Sequence, residues 1–398
     1  MRKHVQKILN AQRDILSPQA IAAVQGSIDN LREAVRENVS KKDLEGQMSN
    51  LEATANKWLK THPHPGLREN VEVFLVAIAV AMGIRTFFLQ PFKIPTGSMQ
   101  PTLFGITSNP DFSRNAGFAR DLAPERDFPF PNPLSRFAHY WVSGIQYKQE
   151  VSGTEGSLTS WDEKPSHFLL FNLRQRFTIG DETHTIWFPP DNLLKRVGLL
   201  NYFGQPNPKV FKPGENIFKI KVVAGDHLFV DRLTYNFRRP KRGEIIVFET
   251  RGISALPQDQ FYIKRMVALG DETVRIGNDR HLIINGKRLD ASTRHFEHVY
   301  SFPASQPPKE STFSGHVNES VAREYGMSGL APLFSDENTT FTVSNNHYMV
   351  MGDNTVNSSD SRSWGAFSRT NVIGKSFFVY WPIGAQNGRA SRFGWGQQ

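Results

Sequence analysis

Apolar positions divide the 398-residue chain into regions of different periodicity. In residues 1–65, Ile21, Val24, Ile28, Leu31 and Val35 recur at alternating steps of three and four, the spacing of a helical seam. Leu44, Met48, Leu51 and Leu59 continue a second seam beyond a break near Ser40 and Gly46. The segment is expected to form one long helix or a helical hairpin, packed on itself or on a second copy of the chain. The stretch 61-THPHPG-66 ends it, since prolines remove donors and restrict the residues before them. His62 and His64 are read as part of that linker, not as metal ligands.

The next stretch, 71-VEVFLVAIAVAMGIRTFFLQPF-92, is wholly apolar from Val73 to Ile84. Twelve residues rise only roughly 18 Å as a helix, short of a hydrocarbon core of about 30 Å. Continued to Leu89, with Arg85 snorkelling, the helix reaches roughly 25 Å. Residues 70–90 are therefore assigned as a single transmembrane anchor in preference to a buried core helix. They lie too far from residue 1 for an ordinary cleaved signal peptide. Lys57, Lys60 and Arg68 before the run, against Arg85 and Lys93 after it, do not fix its direction.

From 105 to 223 the chain turns rich in Phe, Pro and Asn and reads as an inserted, largely β module without legible chemistry. Strand patterns then follow closely: 226-DHLFVDRL-233, 244-EIIVFE-249, 261-FYIKRMVAL-269, and 281-HLIINGKRL-289 with a hairpin turn at Asn285-Gly286. Residues 290–340 form a second irregular insertion. The strands 347-HYMVMGDN-354 and 372-VIGKSFFVYWP-382 close the domain before a tail, 383–398. The expected class is mainly β: an antiparallel β catalytic core from 91–104, 224–289 and 341–382, on an N-terminal membrane anchor preceded by a helical segment.

Composition narrows the function. Thirty phenylalanines and 24 prolines suit a β-rich protein with many turns. A net charge of +9 favours anionic partners, either nucleic acid or a membrane face. Without zinc-finger spacing, an RNP motif or a long basic run, nucleic acid is set aside and membrane lipid retained. The absence of cysteine excludes disulfides, thiol catalysis and Cys-based metal sites.

The candidate chemistry centres on 94-IPTGSMQPTL-103, where a serine sits among apolar anchors just after the membrane run. A serine hydroxyl needs a base within hydrogen-bond reach. The scattered histidines, and the lack of G-x-S-x-G or H-E-x-x-H, turn attention to lysine. Alternation places Tyr262, Lys264 and Met266 on one face of an apolar strand, where a lysine is costly unless neutral or partnered. A strand-edge lysine reaching solvent is the alternative. The loop 352-GDNTVNSSDSRSWG-365 is richer in hydrogen-bonding groups than a simple turn requires, and could fix such a lysine.

Together the segments 91-PFKIPTGSMQPTL-103, 225-GDHLFVDRLTYNFRRPKRGEIIVF-248, 262-YIKRMVALGD-271, 351-MGDNTVNSSDSRSWG-365 and 374-GKSFFVYWP-382 resemble the type I bacterial signal peptidases, membrane-bound Ser/Lys proteases. The resemblance implies that Ser98 is the nucleophile and Lys264 the general base. It implies that the Thr96 hydroxyl and the Ser98 N–H form the oxyanion hole, and that Ser358 orients the lysine. Asp353, Asp360 and Arg362 would support the site. It further implies a catalytic domain outside the cytoplasm on a single-pass inner-membrane anchor. Secreted preproteins would be cut after small residues in an A-x-A pattern, without metal or cofactor. The departures are the 166 positions between Ser98 and Lys264, the missing proline in Ala268-Leu269-Gly270-Asp271, and Val356 in the last loop. Three alternatives remain: a Ser/Lys processing protease with another substrate, a catalytically inactive membrane scaffold, and a self-cleaving repressor relative. Self-association through the N-terminal helices is left open.

Overall fold

The computed structural model describes residues 1–59, 65–113, 128–168, 171–300, 315–386 and 390–395. The chain divides into two compact units, Met1–Ala81 and Met82–Gln398. His62 and His64 lie outside the described residues.

Within residues 1–59 the first unit holds three helices where the seam suggested one or two: α1 (Arg2–Gln12), α2 (Pro18–Arg36) and α3 (Lys41–Trp58). Ser17 and Ser40 start the second and third as N-caps, their hydroxyls accepting the N–H groups of Ala20 and Asp43. The seam closes within the chain, since Val24, Ile28 and Leu31 pack with Val5, Leu9 and Leu51. Val35, at the end of the first seam, and Met48, within the second, remain exposed.

Helix α4 (Pro65–Phe87) contains a 22-residue stretch, Gly66–Phe87, whose most apolar window has a mean hydropathy of 1.7 and is not buried in the protein. That length rises about 33 Å, enough to cross a membrane. It stops at Phe87, short of the expected Leu89 and of the boundary at residue 90. Pro91 lacks the N–H that a helix would need, and Leu89–Lys93 instead pairs as an edge strand with His227–Asp231.

The second unit is built on a seven-stranded antiparallel sheet. Its spatial order is Leu89–Lys93, His227–Asp231, Val372–Trp381, Ile245–Glu249, Phe261–Ala268, His347–Met351 and Phe367–Ser368. Strand Ile245–Glu249 reads as a continuous apolar run because both its faces are covered. Ile245 and Val247 join Ile94, Met99 and Leu103 on one side, while Ile246 and Phe248 join Met266 and Val350 on the other. The predicted hairpin turn is present, with Asn285 and Gly286 both at positive φ (48° and 78°) between Leu282–Ile284 and Lys287–Arg288.

The module at 105–223 contains a three-stranded sheet, ordered Thr107–Asn109, Asn216–Val223, Ile145–Val151. A second sheet of four strands lies between Leu158 and Trp187. Phe177, Ile179, Ile186, Leu194, Ile217 and Ile220 belong to its own core. It is not β throughout: an 11-residue helix, Pro133–Ser143, occupies the stretch that begins with the Phe/Pro-rich 127-DFPFPNP-133. Within 290–340, short helices Glu297–Tyr300 and Glu319–Glu324 accompany a small sheet formed by Thr273–Ile276 and its neighbours.

Candidate active site

Ser98 reaches its position through apolar anchoring on both sides. Ile94, Met99 and Leu103 are all buried against Leu228, Val230, Ile245 and Val247. Packing into the protein core thus accounts for the apolar residues around this one hydroxyl. Close packing of backbone on backbone completes the support. A side-chain carbon on Gly105 would stand 2.2 Å from the Thr96 carbonyl, and one on Gly225 would stand 1.9 Å from the Ile94 oxygen. No residue but glycine fits at either place.

Lys264 enters from the centre of strand Phe261–Ala268, opposite Ile246 in register. Its Nζ lies 2.8 Å from Ser98 Oγ and 3.2 Å from the Ile263 carbonyl oxygen. Both side chains are buried, Ser98 4% and Lys264 5% exposed. Burial pushes the lysine pKa down from 10.5 to about 8; Asp360 and Asp353 oppose this and Arg362 reinforces it. The lysine that the sequence singled out as costly unless neutral is thus shifted towards its neutral form beside the serine.

The polar loop after His347–Met351 clamps the serine segment through its backbone. The Asn354 N–H donates to the Ser98 carbonyl at 3.0 Å, and Asn354 Nδ2 donates to the Gly97 carbonyl at 3.0 Å. Gly352 lets the two segments touch, since a Cβ there would fall 2.5 Å from the Ser98 oxygen and 2.3 Å from Ser358 Oγ.

Two buried ion pairs brace this junction. Arg265 holds Asp353 in a fork, with Nε–Oδ1 2.8 Å and Nη2–Oδ2 2.6 Å, and Thr102 donates its hydroxyl to the same carboxylate. Arg362 holds Asp360 at 2.9 and 2.8 Å and also donates to Thr355 Oγ1 at 2.6 Å and the Thr355 carbonyl at 2.7 Å. Burial alone would raise the Asp360 pKa. The Arg362 guanidinium, the Gly352 N–H and the Ser358 hydroxyl outweigh it and leave the group below its ordinary value.

The structure brings Ser98, Lys264, Asp353, Asp360, Arg362 and Ser358 into one buried cluster. It does not join Ser358 to the lysine by a hydrogen bond. Ser358 Oγ is buried without a partner at hydrogen-bonding geometry, although it lies near enough to Asp360 to help hold that carboxylate down. Thr96 is exposed next to the serine. Among the described residues, neither its hydroxyl nor the Ser98 N–H donates to a protein acceptor, so both are available to an incoming oxygen.

Sequence reasoning missed Arg265, Thr102, Asn354 and Gly352. Arg265 carried a signal: it falls in the apolar run Met266-Val267-Ala268, where an unpaired guanidinium could not be buried.

The model of the family described as signal peptidase, peptidase S26 matches residues 67–107 and 213–381, just over half of the chain. The chain belongs to this family. A probable signal peptidase I-2 of Synechocystis sp. is 30% identical over 159 residues, covering 40% of this chain and 56% of that protein. The signal peptidase I of Leptolyngbya laminosa is 28% identical over 165 residues, covering 40% and 62%. That of Aquifex aeolicus is 31% identical over 188 residues, covering 40% and 70%. The chain thus spans less than two thirds of the first two relatives and slightly more of the third. The family match holds every residue of the cluster just described and leaves residues 108–212 unmatched.

Proposed function

We propose that the chain is a membrane-anchored signal peptidase I, an endopeptidase that removes signal peptides from secreted preproteins after small residues in an A-x-A pattern. The observation that carries this reading is the 2.8 Å contact between a buried lysine of lowered pKa and the Ser98 hydroxyl. Neutral Lys264 takes the Ser98 proton as Oγ attacks the scissile carbonyl carbon. The negative charge that develops on the carbonyl oxygen is met by the Ser98 N–H and the Thr96 hydroxyl. Collapse breaks the C–N bond, the lysine ammonium protonates the leaving amine, and the cleaved signal peptide remains as an ester on Ser98. Lys264 then deprotonates a water that attacks the ester and frees the serine. Asp353, Asp360 and Arg362 hold the frame, and Ser358 orients the lysine once substrate closes the site.

Helix α4 is read as a single membrane anchor, with the catalytic unit on the extracytoplasmic side of the inner membrane. A preprotein held by its own apolar segment would there present its cleavage site at the bilayer surface. The test is cleavage of an A-x-A preprotein by the full chain in detergent, beside Ser98→Ala and Lys264→Ala. Cutting at the expected bond by the parent alone, unaffected by chelators, is the predicted result. Equal cleavage by all three proteins, or none by a folded parent, refutes the proposal.

A further inference from the structure

Four chain segments meet around a cleft of about 190 Å³ beyond the end of strand Phe261–Ala268. They are the turn 269–271, Asn345 and Asn346 ahead of His347–Met351, Arg369 just after Phe367–Ser368, and Arg239 before Ile245–Glu249. Gly270 lets two of these segments touch, since a side-chain carbon there would stand 3.0 Å from the Asn346 nitrogen and 3.2 Å from the Ser344 carbonyl oxygen. Asn346, at φ 57°, accepts the Arg369 N–H on its carbonyl at 3.0 Å, which brings Arg369 to the same rim. Leu269 lies five positions past Lys264, roughly 16 Å of extended strand, so the cleft is distinct from the active site.

Tyr348 lines the cleft from the protein side. It is 4% exposed, its ring stands edge-on to Phe367 across the strand pair, and its hydroxyl is buried without a protein partner. Buried hydroxyls nearly always find a partner, so this one retains its bonding capacity for a ligand oxygen. Burial pushes the phenol pKa up while the charges of Arg369 and Arg239 pull it down, so both guanidinium groups act on that hydroxyl. Among the described residues neither arginine has a carboxylate partner, whereas their neighbours Arg238 and Arg242 are paired with Glu244 and Glu272. Asp271 is the one carboxylate of the lining, and its Oδ2 accepts the Asn345 amide at 2.7 Å. Two cations against one anion leave the cleft positive. Its free donors come from three separate segments, more directions than the single fork of a planar carboxylate uses and a match for a tetrahedral oxyanion.

We propose that this cleft is a binding site for a phosphate group, with Arg239, Arg369 and the Tyr348 hydroxyl donating to its oxygens. The phosphate is either free or carried on a lipid head, and the site stands apart from the peptidase chemistry. The test is isothermal titration calorimetry on the full chain in a phosphate-free detergent at fixed ionic strength. The probes are inorganic phosphate, dihexanoyl phosphatidic acid below its micelle concentration, and acetate. Each is titrated into the parent, Arg239→Ala, Arg369→Ala and Tyr348→Phe, with Arg251→Ala as a control. Arg251 is an exposed arginine already paired with Asp259. Arg239 and Arg369 are exposed and Tyr348→Phe keeps its ring, so all the variants should retain the parent's thermal transition.

One saturable site per chain is expected in the parent. Its affinity should fall about ten-fold in each arginine variant, several-fold in Tyr348→Phe, and not at all in Arg251→Ala. Saturation by inorganic phosphate supports the proposal with free phosphate as a sufficient ligand. Saturation by the lipid alone supports it with a lipid head as the source. Saturation by neither overturns it, as does binding of equal strength in the parent and all the variants, which would put the anion elsewhere. Acetate bound as tightly as phosphate also overturns it, in favour of a carboxylate site. Binding is read without any cleavage step, so a failure here is distinct from a failure of the peptidase reading.

Discussion

Arg265 and Asp353 form a two-point ion pair in which neither side chain has any solvent exposure, one residue from the lysine and one from Asn354. Removing one member leaves the other charged and buried, typically costing about 3–5 kcal/mol. Asp353→Asn should therefore lower the thermal midpoint of the detergent-solubilised protein markedly. The double variant Arg265→Met, Asp353→Leu should recover part of the loss, a pattern that differential scanning calorimetry can read directly. No recovery in the double variant would show that the pair's worth lies outside this charge balance.

On the proposed mechanism Lys264 gives cleavage a pH dependence. With its pKa near 8, about one molecule in ten has the neutral base at pH 7. Initial rates at low substrate should rise roughly ten-fold per unit below that pKa and level off above about 8. A profile flat between pH 6 and 9 would be incompatible with Lys264 as the base.

The same shift makes a stability prediction of determined sign. The folded lysine binds its proton less tightly than the unfolded chain does, about 8 against 10.5, so the unfolded state holds more protons between those values. Its penalty is fully present below about pH 8 and fades as pH rises towards 10.5. Lys264→Met should be more stable than the parent at pH 7, with the gap narrowing at alkaline pH. Chemical denaturation across that range measures it.

Thr96 is exposed and, among the described residues, its hydroxyl has no protein partner, so Thr96→Val should leave the melting temperature unchanged. If it supplies an oxyanion donor, kcat should fall by about 10²–10³, and Thr96→Ser should retain most of it. Unaltered kcat in the valine variant would remove the threonine from the mechanism.

At Gly352 the prediction is steric. A methyl there meets both Ser98 O and Ser358 Oγ, so Gly352→Ala should cost about 1–3 kcal/mol of stability and displace Ser98. Adding Ser358→Ala relieves only the second contact, and activity should stay low in the double variant. Full recovery would show that the Ser98 backbone is free to move.

Much of this architecture could be read from residue order. The strands 245–249 and 261–268 and the Asn-Gly hairpin have local signatures, and Ser98 and Lys264 stand out because their surroundings make them expensive. Arg265 escaped notice because alternation sends it to the face opposite Lys264, and its partner lies 88 residues away. The break between α2 and α3 was visible at Ser40, yet that between α1 and α2 was not, since the seam residues begin only at Ile21. Helix Pro133–Ser143 was hidden by the prolines before it and by an apolar stripe that marks no core. Leu89 and Gln90 belong to a strand although they prolong the apolar run, because such a run cannot itself say where helix gives way to strand.

Ser98 and Lys264 stand 166 positions apart, but the long segment departs and returns through adjoining strands, with Thr107 opposite Val223. What hangs from that doorway can lengthen, shorten or be exchanged without stretching the Ser98–Lys264 bond. Chain length there is decoupled from the geometry of the Ser98–Lys264 pair, which leaves the enclosed segment free to take on new surfaces while that pair stays fixed.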